Sequence, residues 1–143
     1  MSILYTYFEN TPASDHTAGH GSIVTSGVAG ENLAFPDVVY IDSSGEWSIA
    51  DADADTSIGL LGMALATIAS GEVGLILLQG FVRDDTWAWT DGGINGQIYV
   101  SGTAGDMTQT PPAGIGDQVQ VVGYAHTADV IYFNPENTVI EVA

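Results

Sequence analysis

The side chains able to do chemistry in this 143-residue chain fall into a few groups. Asp51, Asp53 and Asp55 alternate with alanine in ADADAD, residues 50–55. Hard cations take several carboxylate oxygens at once, and this spacing opens a calcium-binding loop. The rest of that loop is missing. Thr56 stands at the sixth position, where the turn needs Gly, and Gly62 at the twelfth, where a bidentate Glu closes the shell. Alternate positions on an extended segment also share one side. The three carboxylates are therefore expected to face solvent on a polar turn, with no metal bound.

Arg83, followed by Asp84 and Asp85, is the only basic side chain. It is expected either to bridge locally at a strand end, worth about 0.2–1 kcal/mol if exposed, or to reach an acidic group across a subunit interface. A single cation makes no phosphate or carboxylate clamp. His16 and His20 lie four apart in a Gly-rich stretch, with His126 far away. Without Cys nearby they are read as loop polarity, not as a zinc site. No Gly-x-Ser-x-Gly elbow is present, nor a Gly-rich phosphate loop ending in Lys. Two carboxylates make a glycosidase dyad, but nothing singles out a pair among 18 acids. Trp47, Trp87 and Trp89 are the residue type of a sugar platform. In a small β protein such residues more often anchor a core or an interface.

The net charge of −17 sets the class of partner. Nucleic-acid binding needs Lys and Arg to neutralise phosphates, so nucleic acid and anionic membrane surfaces are excluded as partners. Solubility through mutual repulsion is the plain reading; docking onto a basic protein surface is the sharper one. There is no Cys, so the fold rests on its core alone. The start of the chain lacks a basic, apolar leader, and no apolar run reaches the roughly 18 residues of a membrane span.

The elements that must position these groups are strands. Residues 58–83 hold two apolar runs, 58–68 and 73–82, around the polar break Ala69, Ser70, Gly71 and Glu72. Interior glycines, each costing about 1 kcal/mol in a helix, favour two long antiparallel strands buried on both faces. Shorter strands are expected around this pair. DVVYID and EWSIA form a hairpin, WAWT places Trp87 and Trp89 on one face, and QIYVSG points Ile98 and Val100 one way. In QVQVVGYAHT, Val119, Val121, Gly123 and Ala125 face together, and DVIYF and TVIEV follow. Residues 1–36 read as an N-terminal arm and irregular lead-in, with strands possible at 3–8 and 23–28. Residues 37–143 read as the β domain. The expected fold is all-β, a small β-barrel or β-sandwich with an extended N-terminal arm.

Several phrases carry a resemblance: GEWSIADADADTS, then GLLGMALATIASGEVGLILLQGFVR, then GQIYVSGTAGDMTQTPPAGIGDQVQVVGYA, and last DVIYFNPENTVIEV. In this order, over about three-quarters of the chain, they resemble small structural proteins of tailed bacteriophages, particularly capsid decoration (cement) proteins. The resemblance implies a non-enzymatic, β-rich module without cofactor, made in the host cytoplasm. It implies attachment to the major capsid protein on the outside of the virion. A homo-oligomer is expected, a trimer first and a dimer second. No catalytic motif is carried over. The residues expected at interfaces, from type and position, are Tyr5, Tyr7, Phe8, Arg83, Trp87 and Trp89. The alternative is a receptor- or glycan-binding module of a tail fibre or tailspike.

Overall fold

The structure is a computed structural model that describes residues 12, 17–19 and 21–143. The strand expected at 3–8, with Tyr5, Tyr7 and Phe8, and His16 and His20 lie outside the described residues. The strands are β1 (Thr17–Ala18), β2 (Ile23–Val28), β3 (Val38–Ile41), β4 (Trp47–Ile49), β5 (Leu61–Ala64), β6 (Val73–Arg83), β7 (Gln97–Val100), β8 (Met107–Thr108), β9 (Gln118–Val119), β10 (Val121–Ala125), β11 (Val130–Phe133) and β12 (Ile140–Glu141). One short 3-10 turn spans Gly93–Gly96. The fold is all-β, as the sequence implies.

β6 organises the rest. Its first half pairs with β2 on one edge and β5 on the other, since both meet Ile76 and Leu77. Its second half pairs with β1 and β11, which both meet Val82 and Arg83. The sheet runs β4-β3-β5-β6-β11-β10-β7-β8, antiparallel between neighbours. Beyond β2, Ala29 bridges back to Trp47 of β4, so the first half curls into a half-barrel. β9 and β12 form a separate small pair. Thus β1 and β2, on the N-terminal side of the boundary expected at residue 36, are both paired to β6.

Two clusters of buried side chains lie on opposite faces of β3, β5 and β6. Val38, Met63 and Leu77 belong to the larger, while Val39, Ala64 and Ile76 belong to the second, with Trp47 and Ile68. Adjacent residues on a strand point to opposite faces, so apolar runs here are buried on both sides. The first apolar run is shorter as a strand than expected. Only Leu61–Ala64 pairs. The chain then leaves the ladder, and Ile68 folds back over Gly74, where a Cβ would overlap its side chain. A single bridge from Leu33 holds Ile68 there.

Two further expectations need correction. WAWT is not a strand; it is an extended loop after β6. QVQVVGYAHT splits into β9 and β10, and a register shift between Val121 and Gly123 turns Val122, not Val121, into the main core. In the ADADAD turn Asp53 and Asp55 are exposed, as expected, while Ala50 and Ala52 are fully buried in that core.

Candidate functional site

The turn after β6 sets the site. Asp84 is buried, and its carboxylate accepts the Thr86 N–H at 2.9 Å and the Thr86 hydroxyl at 2.7 Å. The Asp84 N–H donates to Asp129 O and the Trp89 N–H to Ala128 O, at 3.0 and 2.9 Å. This lays residues 84–89 along the turn before β11. The Gln109 side chain then holds Thr90, accepting its N–H and donating to its carbonyl.

Trp87 and Trp89 are brought together, with ring centroids 5.9 Å apart, and Trp87 stacks on Phe35 at 6.4 Å. Both tryptophans are half-buried against the main core. They wall an open hollow of about 220 Å³, completed by Pro36, Gly105, Asp106 and Met107. Three distant stretches of chain thus meet in one place. The Trp89 Nε1–H is buried without a hydrogen-bond partner, an arrangement that costs stability.

Carboxylates gather beside the hollow. Asp37 accepts the Ala34 N–H at 2.8 Å. Burial raises its pKa above the ordinary aspartate value, and the charges of Asp106 and Glu31 add to the rise; the Ala34 bond opposes it. The hollow therefore combines aromatic faces with negative potential. It suits an apolar stem carrying positive charge, or a polyhydroxylated ring.

Arg83 is placed as the local reading expects. Its Nε lies 2.6 Å from Asp85 Oδ1 and 3.8 Å from Asp129 Oδ2. The pair fixes the end of β6 and is not brought into the hollow. Trp47 lies elsewhere, buried in the second cluster. Asp51 accepts the Asp53 N–H at 2.9 Å, while Asp53 and Asp55 are exposed. Among the described residues, no group of three or more His, Cys, Asp or Glu side chains is placed to hold a metal ion. His126 is exposed and meets the edge of Phe81 at 5.3 Å.

Sequence reasoning found the two tryptophans but not Phe35, Asp106 or Met107, which carry no local signal. It also missed Gln120, which is fully buried. Its amide donates to the carbonyls of Gly59 and Glu136, both at 2.8 Å. Comparison with protein-family models, curated proteins and solved structures gives no match.

Proposed function

We propose that the protein is a non-enzymatic virion structural protein that binds the outer surface of a phage capsid and stabilises it. The observation that carries this reading is the Trp87–Trp89 hollow, with Phe35 stacked on Trp87 and Asp106 in its wall. Tryptophan pockets are the places where interfaces concentrate their binding energy. A net charge of −17 favours a basic partner surface and speeds encounter with it. The resemblance supplies the partner, the major capsid protein, and the place, the virion surface. Co-sedimentation with shells stripped of the protein tests it. Saturable binding that Trp87→Ala weakens supports the reading; no binding overturns it.

A second reading is a glycan-binding module of a tail fibre or tailspike. Two indole faces beside a carboxylate are also groups that hold a sugar ring, through its C–H face and its hydroxyls. A screen against immobilised glycans, with Trp87→Ala as control, separates the two.

A further inference from the structure

Among the described residues, the β2 strand has an open edge. Its inner edge is paired to β6 over all six residues, and the Ala29 N–H donates to Glu72 O at 2.9 Å. Backbone groups alternate sides along an antiparallel strand. The groups of Thr25 and Gly27 therefore point to β6, and those of Val24, Ser26 and Val28 point outward. At the Val28 end the edge is closed, because Trp47 of β4 bridges Ala29 and accepts the Gly30 N–H at 2.8 Å. Ahead of it, no strand among the described residues pairs with Val24 or Ser26. Among the described residues, the Ser26 carbonyl accepts only a 3.3 Å bond from the neighbouring Thr25 hydroxyl.

Proteins blunt such edges with charge, Pro or bulges, since an open edge is a template for another strand. β2 reads IVTSGV, with neither charge nor Pro. It is an uncharged strip on a chain of net charge −17. Its outer face is apolar too: Val24 is 44% exposed, and across the ladder Leu75 and Val73 are 53% and 65% exposed. By contrast β4 is covered by residues 30 and 31, and β8 is two residues long.

We propose that β2 is a self-association edge, pairing antiparallel with β2 of a second copy about a two-fold axis. A second copy fits because the free groups are self-complementary. Val24 of one copy meets Ser26 of the other, twice, with Thr25 opposite Thr25 on the axis. An uncharged strip is also where two strongly anionic chains approach at least electrostatic cost. The pairing sets the two Val24, Leu75 and Val73 patches side by side as one apolar face. It names the surface for the homo-oligomer that the resemblance implies and selects the two-fold over the three-fold arrangement. It does not depend on capsid binding, which is measured separately.

The register gives the test. The chain has no Cys, so Thr25→Cys introduces a single thiol that meets its own copy at a non-hydrogen-bonded position. The Cα atoms there stand about 4.5 Å apart, within disulfide range. Thr25→Cys is expected to cross-link under mild oxidation, and Ile115→Cys, on an exposed loop, is not. The mass of the unmodified chain, measured by light scattering up to about 100 µM, is expected to rise to that of a dimer. The dimer strengthens with salt up to roughly 0.15 M, as repulsion is screened. Ser26→Pro removes an outward N–H and no β6 bond, and Val24→Glu charges the strip; both are expected to give folded monomers. A chain that stays monomeric, a trimer, or a dimer indifferent to Val24→Glu overturns the proposal. So does loss of stability without change of mass in Ser26→Pro, which puts another segment of the same chain on the edge.

Discussion

Leu77 and Val82 stand five positions apart on β6, at opposite parity, yet both are buried in the same core cluster. An unbroken strand would send them to opposite faces. Gly80, between them, has φ +152, and there the strand passes from one half of the sheet to the other. The register with β2 shifts at the same level, between Ile23 and Val24. The backbone switches faces so that one strand serves both halves.

Gly80→Ala is therefore expected to be severe. A Cβ there would lie 3.0 Å from the Ser22 Cα and closer to its side chain, on a backbone that L residues rarely adopt. A loss of about 2–4 kcal/mol is expected, from strain and overpacking together, and urea unfolding measures it. A loss under about 0.5 kcal/mol would mean that β6 does not depend on this corner.

Gln120 pins the loop at Gly59 to the loop that follows β11 at Glu136. Gln120→Leu keeps the volume but leaves both carbonyls, and the Gly59 N–H, without their partner. A cost of about 2 kcal/mol is expected. Faster hydrogen exchange at residue 59 than in the parent chain checks the local part of the effect.

Asp37 gives a pH signature. Its pKa is raised, chiefly by burial, so the folded protein holds this proton more tightly than the unfolded chain. Ionising Asp37 therefore costs stability. That cost is fully present above the folded pKa and fades as pH falls toward the ordinary aspartate value. Asp42 acts the other way: the N–H of Glu46, with the Ser48 hydroxyl and Ser44 N–H, lowers its pKa. Its stabilisation is present above the ordinary value and lost as pH falls through the folded one. Asp37→Asn is expected to raise the melting temperature at neutral pH, with the gain vanishing in acid. An equal gain at every pH would contradict this.

Much of the fold was legible because period-two alternation and turn residues mark strands locally. The hairpin of Val38–Ile41 with Trp47–Ile49, and the inward pair Ile98 and Val100, follow from such patterns. What failed was non-local. Ile68 looks like a strand residue until Gly74 is seen to leave room for it. Val122 replaces Val121 in the core only because of a bulge opposite β7. The candidate site was half legible. Trp87 and Trp89 stand out by type, while their neighbours Phe35, Asp106 and Met107 arrive from other parts of the chain. The edge of β2 that stays open among the described residues had no signal at all, since an edge is defined by which strands do not pair with it.

The most direct test of the proposed function is co-sedimentation of the purified protein with capsids stripped of it, with Trp87→Ala alongside. Saturable binding at a fixed ratio per capsid subunit, weakened at least about tenfold by the substitution while the fold is kept, is the expected result. Absence of binding by the folded parent protein, at any ratio, would contradict it.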